Sequence, residues 1–177
     1  MKIYLTYGFA IMLGNALVTL VCYLLGFHSD PDKVQTAGYI AALIGLAIGI
    51  TATTLGMRAK RNTTPSTEEF SFGQAFVTGF MITLFAALPS AAFHYVYLAF
   101  INPDFTGIIQ QAQTAKLEAK GLSSEQIERA QNFIRPFLKP AAQAVFGIIG
   151  TLSWGTIISL IAAAFVKRPA SPPAATT

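Results

Sequence analysis

The sequence predicts an all-α integral membrane protein: four transmembrane helices, with a helical insertion of two short amphipathic helices between the third and the fourth. Three observations predict it. Lys, Arg, Asp and Glu make up only 11% of the 177 residues while 53% are hydrophobic, whereas soluble domains carry about 25% charged residues. Placement says more than the total: residues 3–27, 37–57, 75–101 and 141–166 contain no Asp, Glu, Lys or Arg, and each stretch has at least 21 residues. A run of about 20 apolar residues crosses the hydrocarbon core as a helix. Finally, residues 102–140 carry capping and periodicity signals of their own, so the longest connection reads as helical. One four-helix transmembrane domain over residues 1–168 is expected.

The first span follows Met1-Lys2. A cleavable signal has an apolar core of roughly 7–15 residues and a small-residue cleavage site. Here the apolar run is longer and ends in Gly26-Phe27-His28-Ser29-Asp30, which predicts a retained helix. Tyr4, Tyr7 and Phe9 mark one end of it and Tyr23 and Phe27 the other, as an interfacial aromatic belt would. Cys22 is the single cysteine, so no intramolecular disulfide is available and it reads as a small apolar filler.

The second span places Ala37, Ala41, Gly45, Gly49 and Thr53 at every fourth position. Lipid gives helices no hydrophobic reason to associate, so small residues at this spacing mark close contact. The fourth span repeats the pattern with Gly147, Thr151, Gly155, Ser159 and Ala163. The two stripes predict a packing seam, between these helices or between protomers. Phe70, Phe72 and Phe76 open the third span, and Tyr95, Tyr97 and Phe100 close it with rings expected in lipid and hydroxyls among headgroups. Pro89 near its middle removes a backbone hydrogen bond and predicts a bend, with Ser90 beside it as a candidate partner for the freed carbonyl.

In the connection, Ser123-Ser124-Glu125-Gln126 forms a capping box with Ser123 as N-cap and Gln126 at N3. Ile127, Ala130, Ile134, Phe137 and Leu138 then fall on one helical face, with Glu125, Glu128, Arg129, Asn132 and Arg135 largely on the other. Residues 105–120 read as a second helix stopped by Gly121. The pair either lies on the membrane or stands out from it. The proline-rich tail, residues 169–177, has nothing to bury and is expected to be disordered.

Four spans put the N-terminus, residues 58–74 and the tail on one side. That side carries six basic and two acidic residues, and the other carries six of each. Arg58, Lys60, Arg61, Lys167 and Arg168 abut spans, which predicts that both termini are cytoplasmic. The net charge of +4 is thereby an orientation signal. No basic stripe interleaved with aromatics exists, so no nucleic-acid partner is expected; the partners expected are the lipid bilayer and either a second copy or another membrane protein.

Membrane catalysis generally shows itself through buried ionisable groups. The spans offer only His94, with Asn15, Gln143 and scattered hydroxyls, and no HExxH, carboxylate pair or phosphate loop. No enzyme activity and no cofactor are expected. His28, Asp30, Asp32 and His94 are the candidates for a divalent metal, but their spacing matches no closed ligand set and His94 lies about 10 Å inside its helix end. A polar turn accounts for His28, Asp30 and Asp32 without a metal.

Phe70-Ser71-Phe72-Gly73-Gln74-Ala75-Phe76, then Gly79-Phe80, follows a basic end to the second helix. With Asn102-Pro103-Asp104-Phe105, the Gly-Leu-Ser-Ser-Glu-Gln-Ile-Glu segment and the exit Lys167-Arg168, this entry resembles the bacterial membrane-protein family catalogued as domain of unknown function 4199. The resemblance runs from about Ile3 to Arg168. It implies a four-helix inner-membrane protein and brings no catalytic residues. The expected role is that of a structural or interaction protein presenting residues 102–140. The alternative is an oligomeric transport component lined by Asn15, His94 and Gln143, and a membrane enzyme or metal binder comes third.

Overall fold

The structure, a computed structural model, describes residues 1–171. It is all-α, with four helices long and apolar enough to cross a membrane. α1 runs Lys2–Leu24, α2 Pro31–Asn62, α3 Phe72–Val96, α4 Phe105–Ala119, α5 Ser124–Ile134 and α6 Pro140–Val166. A π-helical turn, Tyr97–Ile101, continues α3, and a 3-10 turn, Arg135–Leu138, follows α5.

Local chemistry sets the helix ends. α1 stops at Leu24, before the apolar run does, because Gly26 takes a left-handed conformation (φ 77). Its N–H donates to Tyr23 O (2.9 Å) and that of Phe27 to Cys22 O (3.0 Å), which is the Schellman pattern. Gly121 (φ 76) ends α4 in the same way, with Gly121 N–H to Glu118 O and Leu122 N–H to Leu117 O. α2 overruns its charge-free stretch at both ends. Pro31 supplies the preset φ of a first helical residue, and the Asp30 carboxylate accepts from Asp32 N–H (2.9 Å). Its 32 residues span about 48 Å, more than the roughly 30 Å of hydrocarbon.

Two capping boxes recur. Ser123 and Gln126 form the expected one on α5. Ser71 and Gln74 form a second at α3, with Ser71 N–H to Gln74 Oε1 at 3.0 Å and Gln74 N–H to Ser71 Oγ at 3.2 Å. α5 gives way to the 3-10 turn at Arg135, one residue before Pro136, which has no N–H to continue the α ladder. Pro89 sits inside α3 without ending it.

The chain divides into two compact units, and each long helix contributes to both. The first comprises Met1–Gly14, Leu46–Pro89 and Ile149–Thr177. Its packing is close: a Cβ on Gly8 would lie 2.9 Å from Phe85 C, 3.0 Å from Ala86 N and 3.0 Å from Ile82 O. α1 therefore meets the bare backbone of α3, beside the Phe85 carbonyl whose usual donor Pro89 lacks. Gly56 receives Ile82 and Tyr7, Gly79 receives Met57 and Ser159, and Gly155 receives Thr83. Ile11, Ala52, Ile82 and Ala86 make one apolar cluster; Met57, Phe70, Ala75, Ala162, Ala163 and Val166 make another.

The second unit comprises Asn15–Gly45 and Ser90–Ile148. It buries Tyr97, Leu98, Val34, Ala37, Ile127 and Leu138, and with them the polar His28 and Asn102. Gln131 of α5 donates to Thr114 of α4, joining the two short helices. Of the expected disordered tail, Pro169, Ala170 and Ser171 are placed, with Ser171 N–H donating to Ser66 O at 2.8 Å; residues 172–177 lie outside the described residues.

Candidate functional site

The second unit holds a buried polar nest that no local pattern announces. The left-handed Gly26 turns the chain back so that His28 points inward, 7% exposed. Tyr97 opens the π-helical turn, closed by Asn102 N–H to Tyr97 O (2.7 Å). Its ring, expected in an interfacial belt, is instead fully buried. The correction has a physical cause: the π turn brings the hydroxyl to His28 and Asn102, which replace water. Asn102 Nδ2 donates to Tyr97 Oη (3.0 Å), and Tyr97 Oη lies 2.6 Å from His28 Nδ1. Tyr97 Oη thus accepts from the Asn102 amide and shares a second hydrogen bond with the His28 imidazole. Rings close the nest: Phe105 packs 4.4 Å from His28, with Tyr23 (edge-on) and Phe93 against Tyr97. Burial holds the His28 imidazole below its ordinary pKa.

The four metal candidates are put to separate uses. Asp30 pairs with Lys33 at 2.7 Å, and that hydrogen bond chiefly holds its carboxyl below the usual carboxylate range. Asp32 is exposed in the first turn of α2. His94 is half-buried on α3, and Gln143 Nε2 of α6 donates to Phe137 O (2.9 Å). Among the described residues, no group of three or more His, Cys, Asp or Glu side chains could hold a metal ion.

The small-residue stripes meet several neighbours rather than one. On α2, Gly45 faces the Asn15 carboxamide oxygen of α1, a Cβ there lying 2.7 Å from it, whereas Gly49 faces Ile158 of α6. Thr53 is buried and Ala41 half-buried. On α6, Gly155 and Ser159 meet α3 at Thr83 and Gly79, Thr151 is half-buried, and a Cβ on Gly147 would meet nothing within 4 Å.

At the α6 exit, Phe70 and Arg168 form an antiparallel bridge, N–H to O at 2.9 Å in both directions. The Arg168 guanidinium donates to Thr64 O (2.9 Å) and Pro65 O (2.8 Å), and Arg61 donates to Val166 O (3.3 Å). Two residues expected to mark orientation thus also tie the end of α2 and the α2–α3 linker to the end of α6. An open groove of about 700 Å³ in the second unit is bordered by Asp104, Gln110, Gln111, Arg135 and Lys139. Its charges are mixed and exposed, so it offers polar contacts but no enclosed chemistry.

Sequence patterns missed the nest because its partners lie 69 residues apart. The Ser71–Gln74 box did have a local signal, the same Ser-x-x-Gln spacing as Ser123–Gln126. Among known proteins, the family described as protein of unknown function (DUF4199) matches residues 6–168. No curated protein and no solved structure matches the chain.

Proposed function

The chain belongs to the DUF4199 family, and we propose that it is a structural or interaction protein of the bacterial inner membrane, with both termini cytoplasmic and no catalytic activity of its own. The observation that carries the reading is the use made of its polar side chains. His28, Tyr97 and Asn102 fasten the α1–α2 turn to the end of α3, and Arg168 fastens the linker to the end of α6. These groups fix elements to one another, as a scaffold requires. Residues 102–140 are then the segment with the most surface to present. Crosslinking in native membranes, followed by purification in mild detergent, tests the reading. A second protein or a second copy should be trapped reproducibly; a chain that always runs alone would sink it.

A second reading, an oligomeric transport component, draws on Asn15, His94 and Gln143. All three fall in the second unit. Solute flux into proteoliposomes that is lost in His94→Ala would favour it; unchanged flux would set it aside.

A further inference from the structure

Phe133 of α5 and Phe137 of the 3-10 turn stand four residues apart, but nothing in their spacing links them to Phe146 of α6. The turn at Leu138 and Pro140 brings them into a ladder of mutually tilted rings, 5.7 Å between the first two ring centroids and 5.7 Å between the last two. All three are open, with Phe133 73% exposed, Phe137 41% and Phe146 49%. The inward face of α5 is already used, since Ile127 is buried and Gln131 holds Thr114 of α4.

What covers the ladder can be read from where it leads. Phe146 lies about 9 Å along α6 from Pro140, on a helix long and apolar enough to cross a membrane, and Val145 beside it is exposed. That surface faces lipid. The 27 residues of α6 span about 40 Å against about 30 Å of hydrocarbon, so its ends reach into the interfacial zone. Ring contact carries the same lipid-facing surface past Pro140 and back onto α5. Charge follows suit. Basic residues alternate with the rings (Phe133, Arg135, Phe137, Lys139), while Glu125 and Glu128 lie at the start of α5. Lys and Arg keep their stems on apolar surface and their heads at phosphates.

We propose that the α5–α6 corner rests on the bilayer, with Phe133 and Phe137 seated in the interfacial region where α6 enters and Arg135 and Lys139 at the lipid phosphates. The connection then lies on the membrane, as interfacial amphipathic helices do. This deepens the interaction reading and rests on its choice of residues 102–140 as the presented segment. A chain that passes the test below yet traps no partner would lose that reading and keep this one.

Trp154, the single tryptophan, is exposed on α6, so bromolipid quenching of the unaltered chain reports insertion in phosphatidylcholine–phosphatidylglycerol vesicles. In a Trp154→Phe background, Phe133→Trp should emit at shorter wavelength than Asn132→Trp. It should lose most of its emission to lipid brominated near the headgroup and resist aqueous iodide, whereas Asn132→Trp should do the reverse. Phe137→Trp serves as an independent second probe. Iodide quenching of Phe133→Trp equal to that of Asn132→Trp, without bromolipid quenching, would overturn the proposal. So would shielding from both quenchers, which would mean that a second copy covers the ladder.

Discussion

The two units solve the same problem, holding helices together without a hydrophobic drive, with different emphasis. The first relies on absence of side chain: Gly8, Gly56, Gly79 and Gly155 let backbone and neighbouring side chains close in. The second relies on presence, a histidine, a phenol and a carboxamide sealed among aromatic rings. Tightness from missing atoms is indifferent to solution conditions. Tightness from hydrogen bonds is conditional, because each partner must stay in one protonation state.

The largest expected effect tests the first means. Gly8→Leu drives a side chain into the α3 backbone, where nothing can rotate away. It should cost more than the about 1–3 kcal/mol of ordinary overpacking, read as loss of the folded species in detergent. Gly147→Ala, with open space around it in the interior of α6, should leave the thermal midpoint unchanged or slightly raised; equal damage from both would erase the distinction. Next comes Tyr97→Phe. It keeps the ring but strands His28 Nδ1 and Asn102 Nδ2, and should destabilise by about 1–3 kcal/mol, seen as a lowered thermal midpoint at neutral pH.

Acid probes the same nest more gently. The folded-state pKa of His28 lies below its ordinary 6.5, so the unfolded chain takes up the proton first. Stability is therefore full above pH 6.5 and falls as pH drops through the window between 6.5 and the lower folded value. The thermal midpoint should follow that course in the native chain, and His28→Gln should flatten it. An unaltered slope in His28→Gln would assign the acid sensitivity elsewhere. Smallest is Ser71→Ala, which removes an exposed cap worth about 1 kcal/mol and should lower the midpoint slightly; Ser123→Ala should match it if the two boxes are equivalent.

The contrast between the units also explains what could be read in the chain. The spans were legible because charge is excluded from lipid at every position, and Gly121 and Ser123 because helix ends are local chemistry. Gly8 belongs to no repeat, so a search for small residues at fixed spacing passes over it; its importance lies in the backbone it meets. Tyr97 shows the reverse failure. A tyrosine at a helix end fits an aromatic belt by composition, and only the inward turn of His28 marks it as buried. The acidic and imidazole residues of the first turn sit close in sequence, yet the left-handed Gly26 and the cap of α2 send His28 in and leave Asp32 out. Site chemistry here depends on side-chain direction, which composition does not encode.

The pairing of Phe70 with Arg168 imposes an order on how the protein is made. The guanidinium of Arg168 reaches carbonyls 100–104 residues earlier in the chain, so those contacts wait until α6 has left the ribosome and entered the bilayer. Until then the α2–α3 linker keeps unpaired backbone groups that water must satisfy. The bridge also fixes the start of α3 and the exit of α6 on one membrane face. A chain whose last helix entered the wrong way round could not close it.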